Sequence, residues 1–466
     1  TRAAIGAFSA AAGEAPAQSS ESTPALGVAR VSLVNGDVSM RRGDSGDWVA
    51  ATPNMPLVEG DVLETGPGAR AEIQLDYSNL IRVDGSSTVE LAQLADRRFR
   101  IRLMQGRLNY SELRGGEADI DIETPFVAVR PRETGRYEVE ARPGETVVQV
   151  RRGEAEVATP EGVQRVRKGR LLAIREGEGA LDFRDGRAEP GGEWDDWNAA
   201  RDERLSKSQS YNYVSRSVTG ADDLDGHGDW RYVPGYGHCW YPSVAGGWAP
   251  YRHGRWGWVD YYGWSWIGYE PWGWAPYHYG RWFNHPSWGW GWWPGYAHTR
   301  YAWQPGLVAF FGYSGRNFSL GVGFGSGFGG VGWVPLAPYE AFHPWYGRGG
   351  FGGRGFGGRN TVVNNTTIVV DNSTNIYNTY RNARVNNGVT VVDADSFSRG
   401  RLNNAASLRG DELQRASLIR GQIPVVPDRS SQGQVLARAG TDRATGVRTF
   451  SRNGGDARTA GARPAR

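Results

Sequence analysis

"GWAPYRHGRW" runs from Gly247 to Trp256, and "GWAPYHYGRW" runs from Gly273 to Trp282, twenty-six residues later. The same offset separates Trp230, Trp256 and Trp282, and again Trp240, Trp266 and Trp292. Two aligned triples and a doubled motif mark an internal repeat. Each copy reads Trp, nine residues, Trp, with turn-forming residues in the middle: Pro234-Gly235, Asp260 with Gly263, and Asn284 with Pro286, Ser287 and Gly289. If each copy is a β-hairpin, pairing Trp256 with Trp266 also pairs Trp258 with Trp264. All four then project from one face. The first copy sets Trp230 opposite Trp240 and Tyr232 opposite His238; the third sets Trp282 opposite Trp292 and Asn284 opposite Trp290. Each aromatic cross-strand pair adds about 0.5–1 kcal/mol beyond burial. A lone hairpin is marginal, so the expectation is three stacked hairpins sharing one aromatic layer.

Outside this repeat the composition changes. Seventeen of the twenty Trp and all seven His lie between His227 and Trp345. With 466 residues there is room for about three domains. From Leu26 to about Ile174 the apolar period is two: Ala69, Ala71, Ile73 and Leu75 alternate with Arg70, Glu72 and Gln74, and "FRIRL" and "YEVEA" repeat the pattern. Turn signals at Asp84-Gly85, Gly115-Gly116 and Pro143-Gly144 break these runs into roughly ten to fourteen short strands. The whole chain reads as mainly all-β, with a β roll, sandwich or short solenoid first and the hairpin repeats second.

The expected division is a signal remnant or disordered leader over 1–25, an all-β domain over 26–175, and a charged linker over 176–220. A hairpin-repeat domain follows over 221–346, then a Gly/Arg-rich spacer over 347–360, Asn/Val-rich strands over 361–398 and a basic, disordered tail over 399–466. In the linker, "EWDDWNAARDERLSKSQS" places Trp194, Trp197, Arg201 and Leu205 on one helix face with acids in the first turn. That helix is expected to dock its two Trp on a neighbouring domain, with partner binding as the alternative. A short helix is also expected over "GDELQRASLI" in the tail.

The formal net charge of +3 gives no reason to expect specific nucleic-acid binding. From Ser396 onward thirteen Arg face five acids, so peripheral contact with an anionic surface is the most that tail suggests. Cys239 is the only cysteine, which excludes an internal disulfide and a cysteine zinc site. The His are scattered without ligand spacing, and no G-x-S-x-G, H-E-x-x-H or P-loop occurs. Neither metal nor cofactor is expected. Asp222, Asp223 and Asp225 are the acids a glycosidase would draw on, but they sit in a Gly/Asp-rich entry to the repeats.

The stretch "PLVEGDVLETGPGARAEIQLDYSNLIRVDGSSTVEL" from Pro56 resembles the FecR domain signature, and "IRLMQGRLNY", "IETPFVAVRPRETGRYEVE" and "VVQVRRGEAEVATPEGVQRVRKG" continue it in order. With "GWAPYRHGRWGWVDYYGWSWIG", "EPWGWAPYHYGRW" and "VGWVPLAP", the resemblance widens to a bacterial envelope family in which a FecR domain precedes a Trp/Tyr/Pro segment. It spans about Leu26 to Pro338. It implies an all-β, periplasmic or secreted protein and supplies no activity. In the regulator that names the FecR family, a membrane helix and a cytoplasmic segment precede the domain; neither is recognised before Leu26, so sigma-factor control is not carried over.

The expectation for function is therefore non-enzymatic binding of a polysaccharide or another envelope protein. A FecR-like signalling component and a carbohydrate-active enzyme are the alternatives. The expected contact residues are Tyr251, Tyr277, Trp248, Trp274, Trp258 and Trp264, as aromatics left uncovered for stacking.

Overall fold

The computed structural model describes residues 27–95, 97–313, 329–346, 369–371, 375–408, 410, 412–434 and 436. The leader, the Gly/Arg-rich spacer and the last thirty residues lie outside them.

Period-two alternation produces seventeen strands between Ala29 and Arg187, hydrogen-bonded into one continuous sheet. The surplus over the expected number comes from strands such as Trp48–Ala50 and Pro56–Leu57, too short to show alternation. The sheet is folded into two layers by the fifteen-residue strand Arg98–Glu112. Its first part pairs with Thr88–Ala95 and, in parallel, with Asp119–Glu123; its second part pairs with Asn79–Val83 and Arg136–Arg142. The change of layer falls at Gly106, where φ is +88° and a Cβ would sit 2.1 Å from Ser87 Oγ. Only glycine fits there. Later hairpins then fall on alternate layers: Arg136–Arg142 with Glu145–Arg152, Glu154–Thr159 with Gly162–Arg167, and Arg170–Glu176 with Leu181–Arg187. Between the layers Val31, Met40, Ile73, Ile81, Leu103, Val139 and Val150 form the aliphatic core. The last hairpin carries this sandwich to Arg187, past the expected boundary at residue 175.

The outer face of one layer is polar in sequence yet covered. Helix Glu193–Ser206 lies on it, with Trp194 and Trp197 stacked at 5.3 Å. The Arg70 guanidinium sits 5.6 and 5.4 Å over the two rings, and Arg82 and Arg107 each cover one of them. Beneath the helix, Glu72 accepts hydrogen bonds from Arg82 Nε at 2.7 Å and Arg201 Nε at 3.1 Å. Burial alone would raise this carboxyl, but the two guanidinium groups overcome it and hold its pKa at about 2. The helix thus docks on the preceding sandwich.

The three hairpins form in the expected register: Trp230 with Trp240, Trp256 with Trp266, Trp258 with Trp264, Trp282 with Trp292 and Asn284 with Trp290. Their stacking differs. The first and third join edge to edge through Trp240 and Trp292 into a four-stranded sheet, while the middle hairpin stands as a separate two-stranded ribbon. A ribbon with Trp on one face cannot remain uncovered. Later segments cover it: Trp256 meets Phe310, Trp333, Trp345 and Phe397 with ring centroids 4.8–6.3 Å away.

Phe310 and Trp333 belong to a five-stranded sheet ordered Val369–Asp371, Ala416–Arg420, Val308–Tyr313, Gly330–Pro335 and Thr390–Asp393, while Phe397 sits in the short helix Ala394–Ser398 that follows the last of these strands and Trp345 in a loop. Within the Asn/Val-rich segment Val369–Asp371 and Thr390–Asp393 therefore pair within their own chain, and residues 361–368 and 372–374 lie outside the described ones. The disorder expected from residue 399 is corrected over its first part, because Leu413, Leu418, Ile419, Ile423 and Val425 are buried. The expected helix over "GDELQRASLI" is a 3₁₀ turn, Glu412–Arg415, running into strand Ala416–Arg420, which pairs with Val308–Tyr313. Sheet pairing overrides local helix preference here.

The sandwich and the aromatic region are locked together. Buried Arg30 bridges to Asp223 at 2.6 Å and donates to Gln74 at 2.7 Å. Asn54 donates to the carbonyls of Gly268 and Glu270 at 3.2 and 2.9 Å. Asp225 accepts from the backbone and hydroxyl of Ser210. Asp222, Asp223 and Asp225 thus serve the architecture.

Candidate functional site

The doubled "WAPY" motif folds inward. Tyr251, with φ at +60°, donates its hydroxyl to the Tyr277 carbonyl at 2.6 Å and accepts from Leu307 N at 2.9 Å. The two tyrosine rings lie 4.7 Å apart, edge to face. Tyr251, Tyr277 and Trp274 are fully buried, and Trp264 and Trp258 are 1% and 7% exposed. Trp274 packs on His278 and Trp303, and Trp264 packs on Phe397. The expectation that these five form an uncovered platform is corrected: the two motif copies pack on each other. Trp248 alone of the six is half-buried.

What the motif builds is a polar centre at Glu270, one of two acids between Gly247 and Arg300. Tyr277 Oη and Trp248 Nε1 both donate to Glu270 Oε1, at 3.0 and 3.2 Å, and His253 Nδ1 stands 3.8 Å away. Burial raises the Glu270 pKa, against the pull of the Tyr277 and Trp248 hydrogen bonds. His278 is the opposite case: burial drives its pKa down to about 3, so the ring stays neutral with Nδ1 2.6 Å from the Gln304 carbonyl. Among the described residues no group of three His, Cys, Asp or Glu is placed to hold a metal.

Among the described residues, uncovered aromatic rings include Tyr232 and Tyr269, but the largest group of them in mutual contact lies elsewhere, about the outer face of the four-stranded sheet. Val233, Cys239, Tyr241, Phe283 and Trp293 form a small cluster there. Around it Trp288, Tyr296 and Tyr339 are 41%, 58% and 63% exposed, and Tyr236 is half-buried. Tyr236 lies 5.0 Å from Phe283 and 6.1 Å from Tyr339, and Trp293 lies 5.2 Å from Tyr339 and 5.5 Å from Tyr296. At the other end His285 stacks on Trp288 at 4.1 Å, and the Arg231 guanidinium sits 5.3 Å over the same indole. Burial raises the Cys239 thiol to about 12, which removes it as a nucleophile.

Such a face offers flat apolar rings bordered by hydroxyl and guanidinium donors. It suits the C–H faces and hydroxyl groups of sugar rings. Sequence reasoning missed it because Tyr236, Trp288 and Tyr296 stand in the stretches "PGYG", "HPSWG" and "PGYAH", where Pro and Gly read as turns. A usable signal exists: Tyr236, Tyr262 and Trp288 recur at the same twenty-six-residue offset, but at a turn position between the paired Trp.

Comparison with known proteins matches two stretches of the chain. The FecR protein family matches residues 61–156, and a family of unknown function, DUF6600, matches residues 221–340. No curated protein matches the chain. Two crystal structures of a "putative anti-sigma factor" from Parabacteroides distasonis are similar to it at 16% and 15% identity, each with a TM-score of 0.25 and covering 27% of this chain. The chain spans 60% of the length of those structures. It carries a FecR domain within its N-terminal sandwich, followed by a DUF6600 region that holds the Trp hairpins.

Proposed function

We propose that the protein is a non-enzymatic, extracytoplasmic component of the bacterial envelope that binds a polysaccharide on the outer face of its four-stranded sheet. The observation that carries this reading is the cluster of Trp288, Tyr296 and Tyr339, exposed rings in contact with a buried aromatic base. The base fixes the rings before a ligand arrives, which lowers the ordering cost of binding. A binder is favoured over a glycosidase because hydrolysis needs two carboxyl groups roughly 5–9 Å apart across the bond. Glu270 instead faces Trp248, Tyr277 and His253.

The test is titration of the full chain with soluble cell-wall glycan fragments, followed by intrinsic Trp fluorescence. A saturable change that Trp288→Ala or Tyr339→Ala weakens at least about fivefold supports the reading. Absence of binding to every glycan, or binding indifferent to both substitutions, refutes it. The FecR match favours one further reading, a component of envelope signalling. Recovery of a membrane-spanning partner on the sandwich, with no glycan response, would select that reading.

A further inference from the structure

Past the aromatic region the chain returns to the sandwich. Strand Trp48–Ala50 pairs on one side with Val38–Arg41. On its other side Ala50 N–H donates to the Gln434 carbonyl at 3.0 Å, and Leu436 N–H donates to the Trp48 carbonyl at 2.9 Å. This is an antiparallel addition to a sheet edge. Three side contacts set its register. Arg429 lies 3.4 Å from Asp47, Ser45 Oγ donates to Gln432 Oε1 at 3.2 Å, and Gly433, at φ +151°, leaves room for a Cβ only 3.1 Å from that of Val49. From the middle hairpin, Arg255 donates to the carbonyls of Ser431 and Gln432 at 2.5 and 3.3 Å. The segment therefore staples the aromatic region to the sandwich.

The staple is held at its middle, where Ser431 and Gln432 are buried, and lightly at its ends, where Gln434 is exposed and the Arg429–Asp47 ion pair lies at the surface. Among the described residues Ser431 Oγ is buried without a hydrogen-bond partner, as are Nε and Nη2 of Arg42, whose charge acts on Arg255. Arg255 is 9% exposed, and the hydrogen bonds named above take its charge to carbonyl dipoles. Just before the segment Val426 is 63% exposed, so release does not require drawing Ile423 and Val425 out of the aromatic core.

We propose that the edge of Trp48–Ala50 is a strand-docking site for another protein, kept closed by the chain's own segment from Arg429 to Gln434 and Leu436. Its ligand is an extended segment with the same pattern: a basic residue for Asp47, Gln for Ser45 and Gly against Val49. Backbone ladder bonds supply the attachment and these three contacts the selectivity. The tethered segment acts at an effective concentration on the order of millimolar, so a separate strand gains the edge only when the segment is lifted. Lifting it also frees Arg255 and loosens the staple between the two regions.

The test uses the full chain and a fluorescent peptide copying Asp428–Arg438. Gly433→Val and Leu436→Pro each remove the fit of the internal segment. The expected result is faster hydrogen exchange at the Ala50 amide and peptide binding at least about tenfold tighter than to the wild type. A scrambled peptide should show no gain, and Asp47→Asn in the same background should weaken binding severalfold. The proposal is overturned if the Ala50 amide is freed without a gain in binding, or if the scrambled peptide binds equally well. It is also overturned if Ala50 stays as protected in both variants as in the wild type, because the segment is then an integral strand.

Discussion

The sandwich and the aromatic region solve the same burial problem with different side chains. Between the sandwich layers Val, Ile, Leu and Ala interdigitate, and no single residue dominates. In the aromatic region a few large rings fill the space: Trp240, Trp256, Trp264, Trp266, Trp274, Trp282, Trp292 and Trp333 are all nearly or fully buried. Aliphatic cores distribute their energy over many small contacts and tolerate loss of a methyl group. A Trp core concentrates it. The comparison predicts that the two regions fail differently when a single side chain is cut back.

The largest effect is expected at Trp256, which four other aromatic rings touch besides its hairpin partner Trp266 and neighbouring Tyr251. Trp256→Ala should cost about 3–5 kcal/mol, whereas Ile73→Val in the sandwich should cost about 0.5–1.5 kcal/mol. Denaturant unfolding followed by near-ultraviolet circular dichroism measures both. Equal effects would break the contrast between concentrated and distributed cores.

Next comes the charge network under the helix. Arg201→Ala leaves Glu72 with one guanidinium partner in a buried place and should cost about 2–4 kcal/mol at pH 7. The pH dependence has a definite sign. The Glu72 pKa falls from its ordinary 4.5 to about 2 on folding, so the stabilisation is complete above 4.5 and is lost as pH drops toward 2. The loss amounts to roughly 3 kcal/mol, and Glu72→Gln should remove that acid-dependent component. Unfolding curves at pH 7, 4 and 2.5 decide it.

Glu270 should show the reverse dependence. Its pKa is raised on folding, chiefly by burial, so its contribution is full below the ordinary value of 4.5 and declines as pH rises through the folded value. Glu270→Gln keeps the shape and removes the charge. The variant should gain on the wild type as pH rises from 5 to 8, and a parallel pH profile for the two proteins would contradict this placement. Tyr277→Phe, which deletes one hydrogen bond to Glu270, should cost about 1 kcal/mol.

How much of this could be read in advance differs between the regions. Period two at Ala69, Ala71, Ile73 and Leu75 was enough for short half-buried strands, though not to choose among a roll, a sandwich and a short solenoid, and the spacing of Trp256 and Trp266 was enough for hairpin register. Both are local, and local periodicity fixes which residues pair and which share a face. What covers a face is not local. The middle hairpin is covered by Phe310, Trp333 and Phe397, the last lying 141 residues beyond Trp256, and nothing in "GWAPYRHGRW" states that. The same limit misplaced the candidate site. Tyr251 and Tyr277 looked available because their cover is each other, brought together by a chain reversal that the repeat alone does not determine. The ordered tail was hidden for a compositional reason: thirteen Arg mask the apolar residues of "SLIRGQIPVV" in any average.

The smallest expected change in stability is also the one that separates folding from binding. Trp288 is 41% exposed and contacts His285, Tyr241 and the Arg231 guanidinium at the surface. Trp288→Ala should therefore shift stability by no more than about 1 kcal/mol, far less than Trp256→Ala, although both remove an indole. If the outer face is the binding surface, glycan affinity follows the opposite order. Trp288→Ala should lose it while remaining folded. Trp256→Ala should retain it wherever denaturation measurements show the four-stranded sheet intact, because Trp256 lies in the other, two-stranded ribbon. A glycan response that tracked stability across both variants would show that the exposed rings belong to the packing alone.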